Sequence, residues 1–351
     1  MSRALDLALR GWGRVQQDPL VGAVVLKNGE VVGEGWHPEY GDRHAETVAL
    51  ADAGERARGA TLVVTLEPCS HHGKQPPCID AIIRSGVARV VAAMRDPNPL
   101  AAGGGELLTQ AGIEVEIGSS SDAAAILNAV FLYNLMNTGR PFVALKLSTT
   151  LDGCIADRFG QSRWISGEPA REYVQWLRAG FDAIAVGGRT ARVDDPSLTV
   201  RGAVRPRVPP RRVVFDRIAD LGPHLTLLRT AGEIPTLVVV APDADRARVK
   251  RLEAAGATII HADSLSNALA SLRQQGISSL LVEGGGQLAG ALLASELVDR
   301  YYWLQAPIWL GDGGVPALAG LPTRGLDQAE RWRVIERRAL GEDTLLVLDR
   351  R

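Results

Sequence analysis

The 351-residue sequence predicts an α/β protein of two domains. Three observations carry that expectation. Short apolar runs rich in Val, Ile and Leu alternate with segments of helical spacing, the pattern of sheets flanked by helices. The alternation is broken at Gly139-Arg140-Pro141 and then resumes as a second series. The two series also carry different chemistry, a His-x-Glu with two Cys in the first and a glycine-rich strand-to-helix turn in the second. The domains expected are therefore 1–139 and 140–351.

In the first half, residues 3–10 read as a short helix ended by Gly11 and Gly13. Residues 21–26 and 31–34 flank Lys27-Asn28-Gly29-Glu30, and Asn-Gly between apolar runs predicts a hairpin. Residues 45–53 have helical spacing, 61–66 read as a strand and 79–85 as a helix. Strands are expected at 87–93 and 113–117. Between them, Asp96-Pro97-Asn98-Pro99 and the glycines at 103–105 read as loop. Residues 123–136 read as one helix.

In the second half, strands are expected at 142–147, 183–186, 212–215, 236–240, 279–282 and 302–305. Helices at 169–179 and 265–274 imply a largely parallel sheet. Residues 331–336 and 344–348, joined around Gly341-Glu342-Asp343, read as a terminal antiparallel hairpin. Residues 201–212, with Pro206, Pro209 and Pro210, read as a loop.

The most informative stretch is His44-Ala45-Glu46, answered by Pro68-Cys69-Ser70-His71-His72-Gly73-Lys74-Gln75-Pro76-Pro77-Cys78. One His and two Cys hold a tetrahedral zinc whose fourth position stays open to water, the arrangement of a catalytic ion. Such an ion brings the pKa of its water toward neutrality. Glu46, two residues from His44, is placed to move protons without ligating. His-x-Glu followed by Pro-Cys-x-x-Cys is the signature of zinc deaminases. Here eight residues separate the two Cys, so the likeness is to a variant with a longer ligand loop. Two Cys alone would be small buried hydrophobes. The specific feature is the combination, with a strand before Cys69 and a helix opening at Cys78, where the helix N-terminus favours a thiolate.

A net charge of −1 leaves no basic footprint for nucleic acid. Three Cys, two of them assigned to the metal, leave Cys154 and no disulfide framework. The N-terminus lacks an apolar signal region, and no apolar run reaches membrane length. A cytoplasmic protein with no membrane partner is expected. Monomer and homo-oligomer both stay open.

In the second half, Ser279-Leu280-Leu281-Val282 runs into Glu283-Gly284-Gly285-Gly286, and Gln287-Leu288-Ala289-Gly290 begins a helix. Such a turn lets backbone N–H groups approach a phosphate, though a plain strand-to-helix turn explains it equally. It is not the usual dinucleotide fingerprint. Polar clusters recur, several of them just after predicted strand ends: Lys146-Leu147-Ser148, Leu151-Asp152-Gly153, Ser162-Arg163-Trp164-Ile165-Ser166-Gly167, Gly187-Gly188-Arg189-Thr190 and Asp194-Asp195-Pro196. Open α/β sheets bind ligands at such ends. Together the clusters suggest a cleft for cofactor and substrate.

With these motifs in place, the chain resembles the bifunctional deaminase–reductase family of riboflavin biosynthesis over nearly its whole length. The resemblance implies a cytidine-deaminase-like α/β/α domain followed by an α/β domain similar to dihydrofolate reductase. It implies zinc and NADPH as cofactors and a phosphoribosylated diaminopyrimidinone as substrate, which is deaminated and then reduced from ribosyl to ribityl. Carried over by position, His44, Cys69 and Cys78 are the zinc ligands and Glu46 the proton carrier. Ser148, Trp164, Thr190, Asp194 and the run Gly285, Gly286, Gln287, Leu288, Ala289, Gly290, Ala291 match cofactor contacts. Ser162, Arg178, Leu198, Arg201 and Glu283 match substrate contacts, with Arg178 and Arg201 suited to clamp a phosphate.

The chain departs from the family pattern at Asp18, where an Asn is expected, and at Gln75, where a Thr is usual. A carboxylate only accepts hydrogen bonds, so Asp18 motivates a second reading in which the reductase works and the deaminase is weak or altered. A third reading makes the first half a structural zinc module, closed by His71 or His72 as fourth ligand.

Overall fold

The computed structural model describes residues 1–350. The chain divides into two compact units, Met1–Asn137 with Pro206–Val208, and Thr138–Arg205 with Pro209–Arg351.

The first unit runs α1 (Ser2–Ala8), β1 (Gly22–Lys27), β2 (Glu30–Trp36), α2 (Ala45–Ala53), β3 (Thr61–Val64), α3 (Cys78–Ser85), β4 (Arg89–Ala92), α4 (Gly104–Gln110), β5 (Glu114–Ile117), α5 (Ser121–Leu127) and α6 (Ala129–Met136). Its sheet has the order β2-β1-β3-β4-β5. β1 is antiparallel to β2 and β3, while β3, β4 and β5 are parallel. The Asn-Gly hairpin forms as expected, with Asn28 and Gly29 both at positive φ.

The placement of α2 follows from small residues. A Cβ on Gly35 would lie 2.4 Å from Ala45 O and Ala49 N, and one on Gly33 would lie 2.5 Å from Ala49 O. With only hydrogen there, the Ala45, Ala49 and Ala53 stripe packs directly on β2. All three alanines are buried. This close approach fixes the helix N-terminus, and with it His44.

Two expectations for this unit need correction. Gly104 and Gly105 are not loop but the first residues of α4. Glycine is required there for closeness, since a Cβ on Gly104 would lie 1.8 Å from Pro68 O. The single helix at 123–136 is two helices, broken at the buried Asn128. Its side-chain amide accepts from Leu20 N–H at 2.7 Å and donates to Leu20 O at 3.0 Å, a long-range tie that local spacing does not reveal.

The second unit contains β6 (Phe142–Thr149), β7 (Cys154–Ala156), α7 (Glu168–Ala179), β8 (Ala183–Gly187), α8 (Gly188–Asp194), β9 (Arg211–Phe215), α9 (Thr226–Arg229), β10 (Thr236–Val240), α10 (Arg246–Ala254), β11 (Thr258–His261), α11 (Leu265–Gln274), β12 (Ser279–Glu283), α12 (Gly286–Ala294), β13 (Arg300–Gln305), β14 (Val315–Pro316), β15 (Arg333–Leu340) and β16 (Asp343–Asp349). The nine-stranded sheet has the order β11-β10-β9-β8-β12-β6-β13-β16-β15. It is parallel from β11 to β13. The expected hairpin β15–β16 completes it in antiparallel pairing.

The central parallel strands are apolar through their middles on both faces because both faces are covered. Ala183, Ala185, Val213 and Val239 face one core cluster, while Ile184, Val186, Val214 and Val238 face the other. The connection order places the C-terminal ends of β8 and β12 side by side, each leading directly into a helix. Among the described residues no helix is long and apolar enough to cross a membrane.

Candidate active sites

In the first unit three segments converge. His44 is the N-cap of α2, Cys78 is the first residue of α3, and Cys69 lies in the irregular stretch after β3. Their ligand atoms lie within 4.8 Å of one another. His44 Nδ1 is 3.2 Å from Cys78 Sγ and 3.5 Å from Cys69 Sγ. The backbone N–H of Cys78 donates to Cys69 Sγ at 3.4 Å.

A soft donor set of one imidazole and two thiols in this geometry suits zinc with three protein ligands. Among the described residues neither His71 nor His72 joins the cluster. That geometry does not favour a closed structural site.

The electrostatics follow from the same contacts. Hydrogen bonds from Cys78 and His44 hold the Cys69 thiol down to about 4. The Cys69 partner holds the His44 imidazole up to about 9. Cys78 is raised, first by its bond to Cys69 and then by burial. Glu46 is 4% exposed on the first turn of α2. Burial, and then the charge of Cys69, raise its pKa. A carboxyl with that bias takes up a proton readily.

His37 was not singled out from the sequence. It is buried, and its ring meets that of His44 edge-on at 5.6 Å between centroids. Its Nδ1 faces Arg43 O at 3.1 Å and its Nε2 faces Asp18 Oδ2 at 3.2 Å. A lone His just after a strand gives no sequence signal that it packs against His44.

The second unit holds a cleft of about 1870 Å³ along the C-terminal strand ends. Its walls include Ser148, Ser162, Trp164, Thr190, Asp194, Leu198 and Arg201, together with Arg178, Glu283, Gly285, Gly286, Gln287, Leu288 and Ala291. Thr190 on α8 and the Gly285 turn before α12 lie against each other, a Cβ on Gly285 falling 3.1 Å from Thr190 Oγ1.

Several expectations are corrected here. Ala289 is fully buried in the core, and a Cβ on Gly290 would lie 1.9 Å from Ala319 O, so neither belongs to the cleft wall. The helical turn carries them away from the glycine-rich end. Leu198 reaches the cleft, but its side chain is 2% exposed and spent in the core.

Arg178 is not a free clamp. Its Nε and Nη2 donate to the two Glu283 oxygens at 2.6 and 2.8 Å, and Nη1 donates to Thr199 O at 2.9 Å. Burial works against Glu283 as an anion, but Arg178 more than offsets it and holds its pKa below the usual range. Burial lowers the pKa of Lys146, which pairs with Glu283 in the β6–β12 register. Arg201 differs. Its backbone N–H is held by Gln175 at 2.8 Å, and among the described residues no carboxylate pairs with its exposed guanidinium.

Comparison with known proteins agrees with this geometry. Residues 141–346 match the model of the RibD C-terminal domain, and residues 1–94 match the cytidine and deoxycytidylate deaminase zinc-binding region. The riboflavin biosynthesis protein RibD of Escherichia coli K12 is 42% identical over 362 residues, covering 99% of this chain and 98% of its own. The chain belongs to the RibD family.

Other RibD proteins extend the match. That of Bacillus amyloliquefaciens is 42% identical over 325 residues, covering 91% of this chain and 86% of its own. The structure of Acinetobacter baumannii RibD superposes with a TM-score of 0.81 at 37% identity, covering 99% of this chain and 97% of that one. A Thermotoga maritima structure superposes with a TM-score of 0.83 at 34% identity, covering 100% of this chain and 97% of that one. It is described as a diaminohydroxyphosphoribosylaminopyrimidine deaminase and 5-amino-6-(5-phosphoribosylamino)uracil reductase. As a RibD the chain is a bifunctional deaminase and reductase of riboflavin biosynthesis, with a zinc-binding deaminase region and an NADPH-dependent reductase region.

Proposed function

We propose that residues 1–139 deaminate 2,5-diamino-6-(5-phosphoribosylamino)pyrimidin-4-one and that residues 140–351 reduce the ribosyl group of the product to ribityl, in the cytoplasm. The observation that carries the first assignment is the meeting of His44, Cys69 and Cys78 beside the buried Glu46. Bound zinc supplies a polarised water at neutral pH, and NADPH supplies the hydride.

The protein's own part is as follows. His44 Nδ1 and the two Cys Sγ atoms hold the metal. The Glu46 carboxylate would accept one proton from the attacking water and pass it to the ring nitrogen, then take the second from the hydroxyl so formed and pass it to the amine, which departs as ammonia. Its burial keeps those protons from bulk solvent.

In the cleft, Ser148, Trp164, Thr190, Asp194, Gly285, Gly286, Gln287, Leu288 and Ala291 orient the cofactor. Ser162 and Glu283 contact the sugar, and Arg201 offers its guanidinium to the phosphate. Arg178 supports Glu283. Leu198 shapes the wall through its backbone.

The deciding experiment is a split assay on zinc-loaded protein. Ammonia release is followed without NADPH, and NADPH oxidation is followed after its addition. Both signals in sequence are expected. NADPH consumption only with pre-deaminated substrate would overturn the assignment of the first domain.

A further inference from the structure

The segment between β4 and α4 carries Asp96-Pro97-Asn98-Pro99, and none of the chemistry above uses it. Its hydrogen bonds lead back to Cys69. Of the three clustered residues, His44 and Cys78 are placed by helix starts, whereas Cys69 lies in neither helix nor strand. The start of α3 reaches it, with Cys78 N–H donating to its Sγ at 3.4 Å and Ile79 N–H to its carbonyl at 3.5 Å, but its own segment has no ladder or helix to fix it.

Two neighbours of Cys69 hold that segment. Glu67 is 2% exposed. Its Oε2 accepts from Asp96 N–H at 3.1 Å and its Oε1 from Gly105 N–H at 2.9 Å, while its own N–H donates to Met94 O at 2.9 Å. On the other side, Ser70 N–H donates to Ala101 O at 3.2 Å and its hydroxyl to Ala102 O at 2.8 Å. Cys69 is thus bracketed by two residues tied to one strap, residues 94–105.

The strap is itself braced. Asp96 Oδ1 accepts from Asn98 N–H at 2.9 Å, and Asn98 O accepts from Ala101 and Ala102 N–H at 2.9 and 3.0 Å. Gly104 admits the contact with Pro68 that lets the two segments close. Burying a carboxylate is costly, and here both oxygens are spent on backbone donors that fix one loop against another.

We propose that Glu67 and Ser70 are positioning residues for Cys69, acting through the 94–105 strap to hold its Sγ at chelating distance from His44 and Cys78. The proposal rests on the three-residue cluster being the zinc site. Metal ligands whose supports are removed bind less tightly, typically by about 10- to 100-fold.

The test uses the full chain with Glu67→Gln and Ser70→Ala. The Gln amide turns a donor toward a backbone N–H, so one of the two bonds fails. Ser70→Ala removes the hydroxyl bond and leaves the backbone one. The readouts are zinc release to a chromogenic chelator, the thiolate-to-metal absorption band of the cobalt-loaded protein, thermal unfolding, and reductase turnover on pre-deaminated substrate.

Glu67→Gln is expected to release zinc about tenfold faster and to shift the cobalt band, with reductase turnover unchanged. Ser70→Ala is expected to move both in the same direction, by less. Wild-type release and an unshifted band in both variants overturn the proposal, whatever happens to the melting temperature. If Glu67→Gln does not fold, Ser70→Ala alone decides on the same two readouts. A wild-type chain that takes up no zinc would instead overturn the site assignment beneath it.

Discussion

Asp18 and Gln75 take hold of opposite ends of one residue, Gly41. Asp18 Oδ2 accepts from Gly41 N–H at 3.3 Å, and Gln75 Nε2 donates to Gly41 O at 2.9 Å. The same Asp18 oxygen faces His37 Nε2 at 3.2 Å. Gly41 has a φ of +81° and belongs to the turn that delivers the chain to His44. Asp18 and Gln75 are two of the positions at which the resemblance leads one to expect another residue. They meet on a single residue, which makes them a structural pair rather than two separate losses.

The pair predicts mild, coupled effects on deamination. Asp18→Asn keeps an acceptor for Gly41 and His37 and loses only charge assistance. Gln75→Ala loses one half-buried hydrogen bond. Each is expected to cost about 1 kcal/mol, or about fivefold in kcat/KM. Residues in one network do not add independently, so Asp18→Ala with Gln75→Ala should depart from the product of the single effects. A double-mutant cycle on ammonia release checks this. Strict additivity would mean that the two side chains act separately.

Glu46→Gln is expected to remove the proton carrier and leave the metal cluster in place. Deamination should fall by at least about 10²-fold, the size of a general acid–base contribution. Zinc content by atomic absorption should stay at one per chain, since Glu46 is outside the ligand cluster. Reductase turnover on pre-deaminated substrate should be unchanged. Loss of both activities in a folded, zinc-loaded variant would contradict the division of labour.

The zinc cluster was legible in the sequence because its signature is local: His-x-Glu, a strand into Pro-Cys, and a helix opening at Cys78. The parallel sheet was legible because strands buried on both faces are continuously apolar. Elements with weak periodicity were not. β11 is an edge strand with exposed Thr258 and His261, and α10 buries only Val249 and Leu252 among charged residues. The N-cap Asp245, which accepts from Arg248 N–H, was the one available signal for α10. The commitment of Arg178 to Glu283 joins residues 105 positions apart and leaves no trace in local spacing.

Zinc uptake should release protons in a defined number. Without metal at pH 7.5, His44 is protonated because its pKa is raised to about 9, Cys69 is already a thiolate with its pKa near 4, and Cys78 is held as a thiol. Ligation requires neutral imidazole and two thiolates. Two protons must therefore leave, one from His44 and one from Cys78. Affinity rises with pH by about two logarithmic units per pH unit between about 4 and 9, and the slope falls to about one once His44 has titrated. Calorimetry in two buffers of different ionisation enthalpy counts the protons. A release of only one would show that His44 and Cys78 do not both carry protons in the metal-free chain.

Arg178→Met tests whether that side chain serves Glu283 or the substrate phosphate. The side chains of Arg178 and Glu283 are each 11% exposed, so removing the guanidinium leaves a buried carboxylate with Lys146 as its neighbouring cation. Breaking a buried pair in this way costs about 3–5 kcal/mol. The Glu283 pKa, now held low chiefly by Arg178 against burial, should rise when that charge is lost. Reductase activity should then be lost at acid pH first, because protonation of Glu283 begins at a higher pH than in the wild type. The expected result is a lower melting temperature and a reductase pH profile whose acid limb moves upward, with ammonia release unaffected where the protein is folded. An unmoved acid limb with a raised KM for the phosphorylated substrate would instead place Arg178 on the phosphate. Arg201→Ala should behave in that second way, raising KM without moving the pH profile.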